Sequence, residues 1–285
     1  MGEKMHEYLS DIVEKKQKLP IIRYDLFDAL PFITHGFTTR LGGVSEGIFS
    51  TMNLSFTRGD DREKVLKNYG IIAEEIGYSV NDFVASDQTH TTNIRIVTKE
   101  DRGKGIIREK DYKDIDGLMT NERGIVLFTY YADCVPLFFA DRIKKVIALS
   151  HSGWRGTVNR MAEVTINKMC REFGSNKEDI ICAIGPSICR DCYEVSGDVR
   201  LEFERKFCSE DMKKIFTAKE NDKYLLDLWK ANEIILIEAG ISKENIENRR
   251  ICTCCNKDIL FSHRGSGGKR GNLAAFMVIN DETTD

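Results

Sequence analysis

The chain has 285 residues, 41% hydrophobic and 31% charged, enough apolar material for one large domain or two small ones. Its formal net charge of −3 creates no field that would draw it to nucleic acid or to an anionic membrane. Five histidines exclude a multicopper oxidase, because a single blue-copper centre already takes two His and a Cys and an oxygen-reducing cluster needs many more.

In chain order, residues 1–20 are mostly charged and polar and read as a helical lead-in. They hold no apolar stretch of the signal-peptide type. The nine cysteines are therefore expected to be reduced, in a cytoplasmic protein. Residues 21–37 read as one or two strands, followed by a loop at Thr38–Ser45 with the paired glycines Gly42 and Gly43. Between Asp61 and Ile76 the apolar positions Val65, Leu66, Tyr69, Ile72, Ala73 and Ile76 recur at spacings of three and four, which predicts an amphipathic helix capped by Gly77. Val84–Val97 reads as a single strand with Gln88-Thr89-His90 inside it, and Arg102–Asp114 as a charged loop. Asp116–Thr120 and Ile125–Thr129 return to the core.

Two short apolar runs follow, Leu137–Ala140 and Val146–Leu149, separated by the polar turn Asp141–Lys145. As an antiparallel hairpin they bring Cys134, before the first, and His151, after the second, to the same end of a sheet. The apolar stretch Ile125–Ala140 is broken by Asp133 and Pro136 and is no membrane span. Val158–Phe173 predicts a helix stopped by Gly174, and Ile180–Ile184 a strand ending in Gly185-Pro186. Helices are expected at Ser196–Phe207 and Leu226–Ala239, the second closed by Gly240, and the last strands at Ile259–Ser262 and Ala274–Ile279. Strands and helices mix without regular alternation and no linker divides the chain, so the expectation is one α+β domain over residues 21–285.

His90, Cys134 and His151 each have an ordinary structural role open to them when taken singly. Together they offer either a thiolate–imidazole nucleophile pair or three ligands of a metal that keeps a fourth position for water. Ser152-Gly153-Trp154-Arg155-Gly156 reads as a glycine-flanked turn into a helix, either an anion site or a plain turn with a solvated Arg155. Thr38-Thr39-Arg40 with Gly42-Gly43 has the same character. Asp133 could serve as a general base, although a buried hydrogen bond suits it slightly better. Cys189-x-x-Cys192 has zinc spacing, but Cys254 and Cys255 are adjacent and point different ways and no second CxxC is counted, which weighs against a second metal site. Phe261–Gly271 is basic and glycine-rich and lacks the Walker pattern, so it is a phosphate loop or a basic turn.

These pieces, in this order, resemble the family described as multicopper polyphenol oxidase or laccase-domain proteins, associated with purine nucleoside phosphorylase activity and in bacteria also labelled peptidoglycan editing factor. The stretches that carry the resemblance include His35–Arg40, Gly42–Ser45, Asn53-Leu54, Gln88-Thr89-His90, Asp116–Leu118, Ala132-Asp133-Cys134, His151–Gly156, Gly185-Pro186, Cys192–Val195, Cys252-Thr253 and Phe261-Ser262. The resemblance implies a single-domain α/β/β/α sandwich with mixed sheets and zinc on His90, Cys134 and His151. Copper is the lesser alternative. It also implies phosphorolysis of adenosine, inosine and methylthioadenosine, with adenosine deaminase activity. Catalytic roles then fall to Cys134, His151, Asp133 and Arg155, and substrate contacts to Arg40, Asn53 and Arg264. The expected partners are purine nucleosides and phosphate, with no nucleic acid or membrane, for a monomer or small homo-oligomer. Arginines that the family carries are Gly265 and Asn272 here, and Lys269 or Arg270 could replace them. The alternatives are a Cys134–His151 hydrolase editing an amide in a peptidoglycan precursor and a zinc-stabilised binding module without turnover.

Overall fold

The computed structural model describes residues 19–281, so the expected lead-in lies outside the described residues except for its last two positions. The longest strand runs alternate in where they point, and that alternation builds the layers. In β7 (Val135–Asp141) the odd positions Val135, Leu137 and Phe139 face one core, while Phe138 and Ala140 face another. In β14 (Leu273–Ile279) the odd positions join that second core, and Ala274, Phe276 and Val278 face a third.

The second core therefore lies between two sheets. One sheet has six strands in the order β13 (Ile246–Asn248), β9 (Ile180–Ile184), β7, β8 (Val146–Ser152), β5 (Gly117–Thr120) and β4 (Ile94–Ile96). The other has five, in the order β1 (Ile21–Ile22), β2 (Ile33–Thr38), β14, β6 (Val126–Tyr131) and β3 (Phe83–Ala85). Both are mixed, with parallel pairs at β13/β9, β4/β5 and β3/β6 and antiparallel pairs elsewhere. The outer face of the six-stranded sheet is covered by α4 (Met161–Phe173) and α7 (Leu228–Glu238), and that of the five-stranded sheet by α2 (Arg62–Ile76). This is the α/β/β/α sandwich implied by the resemblance. A three-stranded antiparallel sheet, β10 (Glu194–Ser196), β12 (Lys223–Leu226) and β11 (Phe216–Ala218), packs beside the helical layer with α5 (Gly197–Glu204) and α6 (Ser209–Ile215). Among the described residues no helix is long and apolar enough to cross a membrane.

The helix over Arg62–Ile76 matches its apolar spacing. The Asp61 side chain caps it by accepting from the Glu63 and Lys64 N–H groups, and Gly77 closes it at φ 76°. The hairpin β7/β8 forms in the register that pairs Pro136 with His151, at the end where the sequence placed Cys134. Three expectations need correction. Val84–Val97 is not one strand: β3 and β4 belong to different sheets, and Gln88-Thr89-His90 lies in the loop that crosses between them. The helix after Gly156 starts earlier, as α3 (Trp154–Val158), and breaks where Arg160 takes a left-handed φ of 60° before α4. Ile259–Ser262 is not a strand. Its Ile259 and Leu260 N–H groups bond back to the Asn256 carbonyl in a turn, although Leu260 and Phe261 are buried. The short helix α1 (Asp25–Asp28), α6 and the small sheet carry no long periodic pattern and were not anticipated.

Phe138 sits in the inter-sheet core with its ring 5.0 Å from Tyr24 and 6.2 Å from Phe27, fully buried. Phe138→Ala is expected to cost about 3–5 kcal/mol in a urea titration, as large-to-small substitutions in packed cores do. Ile143→Ala, at a residue 66% exposed in the hairpin turn, should change stability by less than about 0.5 kcal/mol.

Candidate metal centre and active site

His151 continues the inward face of β8 after Ile147 and Leu149, so it enters the inter-sheet layer at its open end and is almost fully buried. Cys134 occupies the corner where the chain leaves β6 in one sheet for β7 in the other. Asp133 makes that corner with φ 88°, and its carboxylate holds it: Oδ1 accepts from the Thr253 hydroxyl at 2.6 Å and Oδ2 from the Arg264 N–H at 2.6 Å. His90 comes from the other crossing loop, also left-handed, at φ 69°. One ring nitrogen or sulfur from each of His90, Cys134 and His151 lies within 4.8 Å of the other two. The His90 Nε2 is 3.9 Å from the Cys134 sulfur, and the two imidazole centroids are 4.9 Å apart.

Asp116, at the entry to β5, orients the cluster. Its carboxylate accepts from the N–H groups of Thr89, His90 and Thr91 at 3.0, 3.0 and 2.8 Å and from the Thr91 hydroxyl at 2.9 Å. It also pairs with His151 Nδ1 at 2.8 Å. That bond leaves His151 Nε2 as the ring's ligating atom. Burial works against the Asp116 charge, but the His151 ring and the loop amides outweigh it and hold the carboxyl below its usual range. Burial likewise opposes ionisation of the Cys134 thiol, yet the neighbouring His151 charge and hydrogen bonds from both imidazoles bring it down to about 6. Burial opposes the His151 charge, while the Cys134 thiolate and Asp116 raise it to about 9.

The donor set and the free space both fit a metal ion. Two imidazoles and a thiolate are zinc's usual ligand types. A Cβ at Gly153 would stand 2.9 Å from His90 Cδ2 and 3.1 Å from the Cys134 sulfur, so only glycine lets the chain pass this close to the donors.

The cluster opens onto a cavity of 380 Å³ whose lining includes His90, Asp133, Cys134, Trp154, Tyr193 and Arg270. A contiguous hollow of 220 Å³ shares Arg58, His90, Cys134 and Arg270 and adds His151. Larger hollows of 600 and 690 Å³ lie elsewhere and contain none of the cluster. Arg155 lines the 380 Å³ cavity and stacks on Trp154 at 4.3 Å, and Arg264 lines it and stacks on Tyr193 at 5.4 Å. The basic loop Phe261–Gly271 thus supplies His263, Arg264 and Arg270 to the wall.

Two expected substrate contacts stand apart from this cavity. Arg40 donates to the Ser50 and Lys257 carbonyls at 2.7 and 2.8 Å and lies over Phe261, tying loops together. Asn53 is buried, with its amide on the Ser55 carbonyl and Asp60 and its oxygen accepting from the Ser55 and Asn272 N–H groups. The paired glycines nearby serve packing as well, since a Cβ at Gly43 would lie 2.6 Å from the Asn68 side-chain oxygen. Asp116 and Arg58 were missed. Asp116 carries no spacing signal, because its partners are 25 to 35 residues away. Arg58 sits in an irregular loop.

A family model described as "Multi-copper polyphenol oxidoreductase laccase" matches residues 34–280. The chain is 37% identical over 250 residues to a Bacillus subtilis protein named purine nucleoside phosphorylase YlmD, covering 86% of this chain and 88% of that protein. It is 34% identical to a protein from an unknown prokaryotic organism named adenosine deaminase RL5, covering 82% and 90%. Among solved structures, the hypothetical protein YfiH of Bacillus licheniformis superposes with a TM-score of 0.84 at 34% identity, covering 87% of this chain and 93% of that one.

In metal-stripped protein, Cys134 is expected to alkylate with a pH midpoint near 6, read by peptide mass spectrometry, where a free thiol would react near 9. His151→Ala should move that midpoint upward. Asp116→Asn should weaken metal binding by roughly 10- to 100-fold in a chelator competition, because it frees the His151 ring and the His90 loop together.

Proposed function

The chain belongs to the multi-copper polyphenol oxidoreductase laccase family, and from that premise we propose a zinc-dependent purine nucleoside phosphorylase acting on adenosine, inosine and methylthioadenosine, with adenosine deaminase activity at the same site. The observation that carries this reading is the His90–Cys134–His151 cluster opening on one side into a cavity lined by both aromatic rings and arginines. The names of the relatives supply the substrate class.

His90, Cys134 and His151 hold the metal in this reading. Three protein ligands leave a position open, and zinc there supplies Lewis acidity and a water of lowered pKa. Asp116 fixes the His151 tautomer and the His90 loop. Trp154 and Tyr193 offer apolar surface for a purine. Arg58 and Arg270 form no ion pair with a carboxylate among the described residues, and the Arg270 Nε is buried without a hydrogen-bond partner. Burial, and then the charge of Arg58, lower Arg270 to about 10. A phosphate between them relieves that repulsion and satisfies the guanidinium fork.

In phosphorolysis a phosphate oxygen bonds to ribose C1′ as the bond to the purine nitrogen breaks, and the base leaves after taking a proton. Arg58 and Arg270 position the nucleophile, with Arg155 and Arg264 at the rim. In deamination, water adds at purine C6 and ammonia departs. Asp133 has both oxygens engaged, so in both reactions it acts by holding the Cys134 corner and the Arg264 loop in place.

Chromatography of adenosine incubated with the zinc-loaded protein tests this. Adenine should form only with added phosphate, and inosine with or without it. His151→Ala should lose metal and both activities together, and Arg270→Ala should raise the KM for phosphate more than it lowers turnover. Full turnover by a metal-free His151→Ala protein would overturn the assignment. A second reading, an amide hydrolase of a peptidoglycan precursor, draws on the placement of the Cys134 sulfur and a His151 ring nitrogen within 4.8 Å of each other, as a nucleophile and its base would lie. That enzyme would keep its activity after chelation, whereas the phosphorylase would lose it.

A further inference from the structure

A second cysteine cluster lies outside the chemistry described so far. The expectation weighed against a metal there because Cys254 and Cys255 are adjacent and no second CxxC was counted, a miscount, since Cys252-Thr253-Cys254-Cys255 is one. The two play different parts: the Cys254 sulfur lies beside Gly265, where an added Cβ would meet it at 3.4 Å, and touches the cluster only through Cys192, while Cys255 reaches both Cys189 and Cys192. That difference leaves Cys252-x-x-Cys255 as a second pair with the same spacing as Cys189-x-x-Cys192. Two such pairs are the usual ligand pattern of a four-cysteine zinc site.

The fold brings the pairs together at one end of the six-stranded sheet, because β9 and β13 are parallel neighbours. Cys189 and Cys192 lie in the loop after β9, and Cys252 and Cys255 in the loop after β13. Ser187 N–H donates to the Ile251 carbonyl at 3.1 Å, and Thr253 N–H to the Ser187 carbonyl at 3.2 Å, which fixes the loops in register. The sulfurs of Cys189, Cys192, Cys252 and Cys255 all lie within 4.8 Å of one another. Cys192 and Cys255 are 3.5 Å apart and Cys189 and Cys255 4.0 Å, and all nine cysteines are unbridged. A tetrahedron with zinc–sulfur bonds of about 2.3 Å has edges of about 3.8 Å, which these separations straddle. The buried Cys252 sulfur also accepts the N–H groups of Cys189 and Cys255 at 3.3 and 3.4 Å. Backbone amides directed at a sulfur suit a thiolate ligand and stabilise its charge. Four sulfurs this close leave room for one ion and none for a cluster of several irons.

We propose that Cys189, Cys192, Cys252 and Cys255 form a closed tetrathiolate site for one zinc ion, separate from the His90–Cys134–His151 centre. Binding displaces the thiol protons to solvent, and no group is oxidised or reduced. With four protein ligands the ion has no open position, so its role is structural. It staples the loop that carries Ile188 and Tyr193 into the cavity to the loop whose Thr253 hydroxyl holds Asp133. The proposal stands on geometry independent of the catalytic reading, and a protein without nucleoside activity would leave it untouched.

The test is metal counting on reduced protein, purified without chelator, saturated with zinc and desalted. Elemental analysis and native mass spectrometry should find two zinc ions in the wild type, one in His151→Ala and one in the Cys192→Ser/Cys255→Ser pair. The paired variant should also melt at a lower temperature than the wild type. If that variant does not fold, His151→Ala loaded with cobalt(II) decides the matter: one equivalent with the intense thiolate-to-cobalt absorption of four sulfurs supports the site. A wild type with one zinc that vanishes in His151→Ala would overturn the proposal. So would iron in place of zinc, or a Cys192–Cys255 disulfide in the freshly isolated chain.

Discussion

The candidate active site depends on one buried carboxylate. Asp116 accepts hydrogen bonds from three consecutive backbone amides of the 89–91 loop and from the His151 ring. Burying a charge is unfavourable unless donors surround it. Here the donors are the two elements that must meet: a loop that has just left the five-stranded sheet and a strand of the six-stranded one. The same interaction fixes the orientation of the His151 imidazole and the position of the loop that carries His90. A metal centre on the seam between two sheets needs such a tie, because neither sheet alone carries enough ligands.

The seam also explains the unusual backbone around the ligands. Two of the crossings between the sheets, β3 to β4 and β6 to β7, place a left-handed, non-glycine residue at or beside a candidate ligand, His90 in one and Asp133 in the other. Each is held by side chains from elsewhere. Asp116 gathers the first turn, and Thr253 and the Arg264 amide hold the second through the Asp133 carboxylate. Gly153 completes the enclosure by bringing a third segment against the donors where a side chain would collide with them. The glycines at positions 42 and 43 had looked similar in sequence. Their loop packs against Asn68 instead, and Arg40 is spent on carbonyls of neighbouring loops.

The cavity wall has a division of charge that follows from its neighbours. Arg155 and Arg264 lie on aromatic rings at the rim, while Arg58 and the mostly buried Arg270 face the space beside the cluster. The loops that present this wall are short of regular structure. They are tied to each other by backbone bonds between residues 187 and 251–253, next to the four-cysteine cluster. Wherever a catalytic surface rests on loops, its precision has to come from such cross-ties.

The sequence by itself determined the local elements and singled out the candidate metal ligands. Two continuous apolar runs around a polar turn specified the hairpin that sets Cys134 beside His151, and helical spacing closed by Gly77 specified the helix at 62–76, because both signals are short-range. The motif residues His90, Cys134 and His151 were legible as a group, as was the layered fold, through their resemblance to a family. Tertiary structure alone decided which cations face the cluster, that Gln88–His90 lies in a crossing loop and not in a strand, and that Asp116 is the hub. It also decided that Cys252 and Cys255, and not Cys254, join the distant Cys189 and Cys192. These outcomes rest on contacts between residues 25 to 131 positions apart. Such contacts leave no period in the sequence, and the chain can make them only once two sheets have closed on a common core.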